Sequence, residues 1–312
     1  MSITNTRYVN HYNTSGSIDN NRNAVSKILT VGIATLDIIN IVDRYPREDE
    51  KMRAMDQRVS RGGNAANTAC VLSQYGHDID FAGVIVDEPD GHRIEQDMLG
   101  NQIGLSFCQR VDCGKMPTSY ITLNTDNASR TIVNYRDLPE YSVESFKQIP
   151  LQEFDWIHFE GRNIEHTIKM IRHARKHINN KVISVEIEKD RPGIDALMPL
   201  ADVLMIPGAQ VRRRGFTDPY LYFDHIRPQA PTATLITTWG AEGAFGRDTN
   251  NMDYHCPAVP PDKVIDTIGA GDTFNAALIN AFSSGLTLEE SLSHACEIAG
   301  KKVGQLGFDN LV

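Results

Sequence analysis

The segment from Asp266 to Ala277 combines a turn of small residues with a carboxylate at the start of a predicted helix. Gly269, Ala270 and Gly271 are small enough for their backbone N–H groups to face an anion, and the following helix adds the positive end of its dipole. Asp272 could take a proton from an attacking hydroxyl while these amides hold phosphoryl oxygens. The pattern therefore indicates phosphoryl transfer, and a glycine turn with an aspartate N-cap is the structural alternative.

A second group of small and amide residues lies far upstream, at Gly62, Gly63, Asn64 and Asn67. An asparagine side chain offers both a donor and an acceptor, which suits a sugar hydroxyl that must do both. The two segments, in this order, resemble the signatures of the ribokinase-like (pfkB-type) carbohydrate kinases. Further segments are similar to ketohexokinases within that family and extend the resemblance from about residue 28 to 312. They are 36–39, 43–49, 158–163, 184–189, 299–302 and 307–309.

The resemblance implies an ATP-dependent enzyme that phosphorylates a ketose, with fructose as the expected acceptor and fructose 1-phosphate as the product. It implies that Asp272 is the general base and that residues 269–271 form the anion hole. Two alternatives stay open: a kinase of ribose, another furanose sugar or a nucleoside, and a catalytically silent sugar-binding protein. The intact Asp272 and its glycine turn argue against the silent protein.

The same resemblance assigns a set of residues to the sugar. These are Asp37, Asp49, Gly63, Asn64, Asn67 and Arg130. Asp37 lies at the end of the first predicted strand. The alternative to a sugar contact for Asp49 is an exposed charge beside two glutamates. Arg130 is expected to reach the substrate and the transferred phosphate, because a guanidinium fits phosphate oxygens well. An unpaired surface arginine is the alternative.

Residues 238–244 resemble the segment of the family that borders ATP. The residues assigned to the nucleotide are Trp239, Gly240, Glu242, Gly243 and Lys189. A plain hairpin turn explains the same glycines locally. The chain lacks the Gly-x4-Gly-Lys-Ser/Thr phosphate loop, and residues 269–271 lack the third glycine of a dinucleotide fold. The assignment of ATP therefore rests on the resemblance.

Magnesium is expected because the phosphates of ATP need a counter-cation during transfer. The region 206–210 lacks the Asn-x-x-Glu element of many ribokinase-like enzymes. Glu160 and Glu186 are then the candidates for holding the ion through water, and pairing with nearby arginine or lysine is their alternative role. The resemblance also implies a potassium ion near Asp266 and the C-terminal segment.

Short apolar runs alternate with helix-length periodic stretches from residue 27 onward, which predicts a mostly parallel sheet flanked by helices. The predicted strands are 28–34, 80–86, 156–159, 182–187, 203–206 and 235–238. The predicted helices are 64–75, 88–100, 164–178, 273–282 and 288–302. With the resemblance, this predicts a ribokinase-like three-layer α/β/α core carrying a small β-sheet lid.

The lid is predicted from two stretches, 38–59 and 116–136, that have strand-like content without a crossover helix. A turn at Asp126-Asn127 would fold the second stretch into a hairpin. The α/β core then comprises 26–37, 60–115 and 137–312, behind a flexible polar tail at 1–25. The resemblance implies that two lids clasp each other in a homodimer, and a β-edge that only covers the core is the alternative.

The overall composition favours a cytoplasmic enzyme whose partners are a sugar and ATP. The formal net charge of -9 argues against nucleic acid or an anionic membrane as a partner, because both require a basic face. No apolar run reaches the length of a membrane span or a signal peptide. The five cysteines are odd in number and form no Cys-x-x-Cys pair, so neither a disulfide framework nor a zinc site is expected.

Overall fold

The computed structural model describes residues 25–127, 129–179 and 181–312. Its strands are β1 (Lys27–Val31), β2 (Thr35–Val42), β3 (Asp56–Gly62), β4 (Asp78–Ala82), β5 (Val84–Val86), β6 (Ile103–Gly104), β7 (Gln109–Val111), β8 (Thr118–Asn124), β9 (Arg130–Tyr135), β10 (Trp156–Glu160), β11 (Val182–Glu186), β12 (Val203–Pro207), β13 (Thr234–Thr238), β14 (Ala244–Arg247) and β15 (Asp253–Cys256). Its α-helices are α1 (Asn64–Gln74), α2 (Pro89–Gly100), α3 (Val143–Phe146), α4 (Ile164–His177), α5 (Gly208–Arg213), α6 (Pro219–Ile226), α7 (Ala270–Ser283) and α8 (Leu288–Val303). Short 3-10 helices lie at Leu151–Glu153, Ile194–Leu200 and Gly240–Glu242.

The main sheet has nine strands in the order β15-β14-β13-β12-β11-β10-β1-β4-β6. All neighbours from β6 to β13 run parallel, and only β14 and β15 add antiparallel pairs at one edge. Strands β1, β10 and β11 are almost entirely buried, as expected where helices cover both faces of a parallel sheet. The predicted α/β class with a mostly parallel sheet is confirmed.

Two predicted strands are wrong in extent. The strand predicted at 28–34 corresponds to β1, which ends at Val31. Residues 80–86 belong to two strands, because the extended segment is interrupted at Gly83 after β4. A side chain at Gly83 would lie 2.5 Å from the Phe81 ring and 2.7 Å from the Gly32 carbonyl oxygen. Glycine therefore permits a close backbone approach at the point where the strand is interrupted. Strand β5 leaves the main sheet and pairs with β7 instead.

A separate mixed sheet has the order β3-β2-β8-β9. The predicted hairpin at Asp126-Asn127 is confirmed, since β8 and β9 are antiparallel and pair Leu123 with Arg130. The sheet begins at Thr35 and β3 continues to Gly62, so its strands extend into segments predicted for the core. The division into core and lid stays a prediction.

Helices α1 and α7 pack against each other, and both begin near the carboxyl ends of the parallel strands. In open α/β sheets this edge is where ligands bind. Helix α8 packs on α7 and starts at a capping box between Thr287 and Glu290. Among the residues that the structure describes, none of the helices has both the length and the apolar character to cross a bilayer. The predicted tail at 1–25 lies outside the described residues except for Val25.

Candidate active site

Gly269 is the first residue of the predicted anion hole. It has a left-handed backbone (φ 76°) and directly precedes α7. A side chain at Gly269 would lie 2.2 Å from the Phe308 ring, so glycine is required both by the backbone and by the packing. Gly271 differs, because a side chain there would meet nothing within 4 Å. The first-turn N–H groups of α7 therefore border open space at Gly271, although that of Ala270 donates to the Thr267 carbonyl oxygen at 3.4 Å.

Asp272 lies in the first turn of α7 and is buried. The Asn67 Nδ2 donates to the Asp272 Oδ2 at 2.7 Å. Burial raises the pKa of Asp272 to about 7, although the hydrogen bond from Asn67 opposes this rise. Three neighbouring carboxylates add to the rise in this pKa: Glu188, Glu160 and Asp37. A buried carboxyl group that titrates near neutral pH suits a general base.

The predicted sugar turn lies directly beside this base. Gly63 has a left-handed backbone (φ 93°), and a side chain there would lie 2.3 Å from the Ile33 carbonyl oxygen. A side chain at Gly62 would lie 2.2 Å from the Asp37 Oδ2, so the absence of one lets this carboxylate approach the turn. Asp37 is buried and accepts from the Thr35 hydroxyl at 2.9 Å. Burial raises the pKa of Asp37 above its ordinary value.

Asn64 binds a second buried carboxylate rather than Asp272. Its Nδ2 donates to the Glu186 Oε2 at 3.0 Å, and the Asn275 Nδ2 donates to the other oxygen at 3.0 Å. Burial, followed by the charge of Asp272, raises the pKa of Glu186 well above its ordinary value. Asn64 and Asn67, one turn apart on α1, thus each bind a carboxylate at this edge of the main sheet.

Asp49 lies apart from these groups. It is exposed on the loop between β2 and β3, with a left-handed backbone (φ 62°). Arg130 lies closer to the site, because its guanidinium donates to the Thr267 hydroxyl at 2.7 Å. The structure therefore places Arg130 at the loop that precedes the anion hole and leaves Asp49 at the surface of the small sheet.

Three consecutive residues before Gly269 contact different strands of the small sheet. The Asp266 carboxylate accepts from Arg58 on β3 at 3.4 Å, and Thr267 accepts from Arg130 on β9. Ile268 packs against a small apolar cluster of β2 and β8, formed by Ile39, Ile41, Ile121 and Leu123. The segment that leads into Gly269 is therefore in direct contact with the small sheet.

The residues predicted for the nucleotide form a tight turn after β13. The Trp239 N–H donates to the Gly243 carbonyl oxygen at 2.6 Å, and a side chain at Gly243 would lie 2.0 Å from the Cys256 carbonyl oxygen. Trp239 is buried under the Arg212 guanidinium, which lies 4.7 Å from the ring centroid. Glu242 is exposed beyond Gly240. Both alternatives for this turn, nucleotide contact and plain hairpin, are compatible with the geometry.

Lys189 is half-exposed, and its ammonium lies 3.6 Å from the Glu188 carboxylate. A cavity of about 10 Å³, the room of one water molecule, lies between the end of β13 and the first turns of α7. It is lined by Thr238 of β13, Gly271 and Asn275 of α7, and Glu186 of β11, together with apolar residues of β12. The end of β13 and Gly271 therefore line the same small cavity.

The two carboxylates predicted for magnesium already have protein partners. Glu160 accepts from the Ile33 N–H at 3.1 Å and from Arg162 at 3.3 Å, and both oxygens of Glu186 accept asparagine amides. Within the described residues, no group of three or more His, Cys, Asp or Glu could hold a metal ion. The residues do not fit direct ligation, so a magnesium ion here would be held by the phosphates and water.

The carboxylate predicted for potassium is also occupied by protein groups. Lys302 is fully buried, and its ammonium lies 3.3 Å from the Asp266 Oδ2 and 3.1 Å from the Asp266 carbonyl oxygen. Arg58 and the Gly307 N–H contact the same carboxylate oxygen, each at 3.4 Å. A potassium ion at Asp266 would compete with two cationic side chains, so the residues present do not fit it.

Several residues of this site were not singled out from the sequence. Thr35 orients Asp37, Asn275 holds Glu186, and Arg61 contacts the oxygen of the Asn67 amide at 2.8 Å. Asn275 lies within the segment 266–277 and Arg61 directly precedes Gly62, so their position in the sequence was the available signal. The pairing of Lys302 with Asp266 had no comparable signal in the sequence beyond the presence of a lysine in the segment 299–302.

The arrangement can place a hydroxyl between a base and an anion hole. Asp272 can accept the proton, the first-turn amides of α7 can hold phosphoryl oxygens, and Asp37 can accept a hydrogen bond from another hydroxyl. Arg130 of β9 contacts Thr267, two residues before Gly269. These groups suit the transfer of a phosphoryl group to a polyhydroxylated acceptor.

The comparisons with known proteins agree with this chemistry. The family model described as pfkB family carbohydrate kinase matches residues 25–311. Ketohexokinase of Mus musculus is 37% identical over 294 residues, which cover 92% of this chain and 99% of the relative. Ribokinase of Bacillus subtilis is 23% identical and covers 90% and 94%. The structure of Arabidopsis thaliana ribokinase complexed with ribose and ATP matches with a TM-score of 0.75 at 19% identity, over 91% of this chain and 94% of that chain, which confirms the predicted ribokinase-like fold.

Proposed function

Because the chain belongs to the pfkB family of carbohydrate kinases, we propose that it transfers the γ-phosphoryl group of ATP to a ketose, most simply to the C1 hydroxyl of fructose. Family membership makes it an ATP-dependent carbohydrate kinase. The ketose is favoured over ribose because the chain is 37% identical to a ketohexokinase and 23% identical to a ribokinase, each over at least 90% of its length.

The observation that carries the proposed mechanism is the contact between Asn67 and Asp272 at 2.7 Å. It joins the turn assigned to the sugar with the turn assigned to the phosphate. A hydroxyl bound beside Asn67 would lie next to the carboxylate that must take its proton. Asp272 is thus the proposed base, and residues 269–271 form the proposed anion hole.

The remaining assignments follow from the walls of the cleft. Asp37 of β2 and the residues Gly63, Asn64 and Asn67 at the N-terminus of α1 border the sugar, and Asp49 and Arg130 lie on the β2–β3 loop and on β9 of the small sheet, which we propose as a lid. Trp239, Gly240, Glu242, Gly243 and Lys189 are proposed to border the nucleotide. The acidic residues Glu160 and Glu186 would contact, through water, a magnesium ion bound to ATP. Its chemistry is to neutralise charge on the phosphates.

An ADP-release assay tests the substrate class. Fructose, tagatose, ribose, fructose 6-phosphate and a nucleoside are compared at equal concentration, and the product is examined by phosphorus NMR. Fructose should give the highest kcat/KM, with phosphate on C1. A preference for ribose or a nucleoside would replace the ketose by another acceptor within the family. No turnover with any of them would favour the silent sugar-binding protein.

We also propose that the chain forms a homodimer through the outer face of the small sheet. Ile38 pairs with Val59 on one side and with Tyr120 on the other, and Tyr120 pairs with Val133. These residues form an apolar row across four strands, in which Val133 is 64% exposed and Tyr120 is 43% exposed. Such a row on an exposed sheet is suited to self-association.

Sedimentation velocity tests the dimer. Val133→Asp should dissociate it, because two charges would face each other across the symmetric contact. Leu221→Asp is the matched control, since Leu221 is 61% exposed on α6, away from the small sheet. A wild-type monomer at micromolar concentration would contradict the proposal.

We further propose a cytoplasmic location, which suits five free cysteines and the use of ATP.

A further inference from the structure

Arg61 is a buried cation that lies between the sugar turn and the surface of α2. Its side chain is only 5% exposed, and its Nε donates to the Asp97 carboxylate at 2.6 Å. The guanidinium carbon also lies 5.5 Å from the centroid of the Phe308 ring. The partners of Arg61 on both sides hold its guanidinium in one orientation.

The other end of this guanidinium controls the amide of Asn67. Arg61 donates to the Asn67 Oδ1 at 2.8 Å and to the Ala66 carbonyl oxygen at 3.1 Å. Because a guanidinium only donates, it selects the oxygen of the Asn67 amide and directs the nitrogen the other way. That nitrogen donates to the Asp272 Oδ2 at 2.7 Å. A continuous chain of hydrogen bonds therefore runs from Asp97 through Arg61 and Asn67 to Asp272.

We propose that Arg61 is a positioning residue for the reaction, which fixes the Asn67 amide so that it donates to Asp272 and favours the ionised form of this base. The inference rests on the proposed role of Asp272 as the general base. Without Arg61 the amide can rotate by half a turn, and its oxygen would then repel the carboxylate. A hydrogen bond to the ionised form of a carboxyl group lowers its pKa, so the loss of this bond raises it.

The need for such a device follows from the surroundings of Asp272. The carboxylates that face it from other elements are Asp37 of β2, Glu160 of β10, Glu186 of β11 and Glu188 after β11. Lys302 of α8 is the cation that acts on it from the C-terminal side. Burial and four carboxylates all favour the protonated form, in which Asp272 cannot act as a base. The donation from Asn67 is the hydrogen bond that opposes them.

The pH profile of kcat/KM for the best sugar tests Arg61. Lysine keeps the charge of Arg61 but cannot contact Asp97 and Asn67 with one planar group. Arg61→Lys should move the acid limb of the profile up by about half to one pH unit. Activity at pH 6 should then fall about three- to tenfold, while activity at pH 9 stays within about twofold of the wild type. A merely structural defect would lower activity equally at every pH.

Arg247→Lys is the matched control. Its guanidinium is 8% exposed, donates from Nε to Asp253 at 2.6 Å and lies 5.6 Å from the Phe223 ring, but it has no path to Asp272. This variant should leave the acid limb unchanged. Arg61→Gln is the second Arg61 variant if lysine prevents folding, and it should shift the limb in the same direction because its amide cannot replace the fork of donors that contacts Asp97 and Asn67. Thermal unfolding establishes which variants are folded.

The outcomes separate this inference from the proposed function. A shift in folded Arg61 variants that Arg247→Lys does not show supports the inference. An unshifted limb in folded Arg61 variants, or an equal loss at every pH, overturns it. If Asp272→Asn retains near-normal kcat, the proposed base is wrong instead, and the role of Arg61 falls with it.

Discussion

The Asn67 amide nitrogen lies 2.7 Å from the Asp272 carboxylate, although 205 positions separate the two residues in the chain. The contact brings the N-termini of α1 and α7 together at the carboxyl edge of the main sheet. It also makes the amide of Asn67 an internal partner of the base, since Arg61 occupies its oxygen. The second sequence motif therefore contacts the proposed base directly.

The pH dependence of turnover should report Asp272. Burial raises its pKa to about 7, and the base acts in its deprotonated form. The value of kcat/KM should therefore fall about tenfold for each pH unit below this pKa and level off above it. A profile from pH 5.5 to 9 with the best sugar checks this. An acid limb near pH 4, the ordinary range of an aspartate, would contradict the assignment.

The two glycines of the anion hole should fail for different reasons. Gly271→Val places a branched side chain in the open space beside the first-turn amides, so turnover should fall at least about a hundredfold with little change in stability. Gly269→Ala must adopt a left-handed backbone against Phe308, which costs on the order of 1–3 kcal/mol of folding free energy. Calorimetric Tm values measured beside kcat separate the two effects. Equal proportional losses in activity and folded protein for Gly271→Val would make this glycine structural.

The sugar affinity should depend on Asp37. Removing a hydrogen-bonded charged group costs about 1.5–3 kcal/mol, so Asp37→Ala should raise the sugar KM by about 10- to 100-fold while the KM for ATP changes less. Titration calorimetry with sugar alone checks it, and an unchanged affinity in folded protein would place the sugar elsewhere. Asp49→Ala tests the exposed assignment in the same way, and an unchanged KM would return Asp49 to a surface charge.

The small sheet should act on catalysis through Arg130. Arg130→Ala removes the contact with Thr267 and one cation near the transferred phosphate, so kcat/KM should fall about 10- to 100-fold. Arg44→Ala is the control, because Arg44 is an exposed arginine of the β2–β3 loop that pairs with Glu50. Equal values for the two variants would show that the contact with the anion-hole loop has no part in turnover.

The sequence predicted the sheet well because buried parallel strands are continuous apolar runs between periodic helices. It predicted the ends of α1 and α8 to within one residue, where the glycines before Asn64 and the capping box at Thr287 provide local signals. It missed the break between β4 and β5 at Gly83. A side chain there would clash with the Phe81 ring and the Gly32 backbone, and the spacing of apolar residues does not indicate such a close approach.

The site was predictable where a local motif fixes the position of a residue, as for Asp272 at the helix start after its glycine turn. It was not predictable where the role depends on a partner distant in the chain. Lys302 is buried against Asp266, and Asn64 donates to Glu186, although 36 and 122 positions separate these pairs. Spacing does not indicate which buried carboxylate an amide or ammonium will meet, because the fold brings them together.

The turnover of Asp272→Asn tests the central claim most directly. Asparagine keeps the size of the side chain and its place beside Asn67 but cannot accept the proton. With fructose and ATP at saturation, kcat should fall about 10²- to 10⁴-fold, while the affinities for both substrates and the Tm change little. A folded Asp272→Asn protein with near-normal kcat would contradict the account, because the proton would then leave the acceptor without this carboxylate.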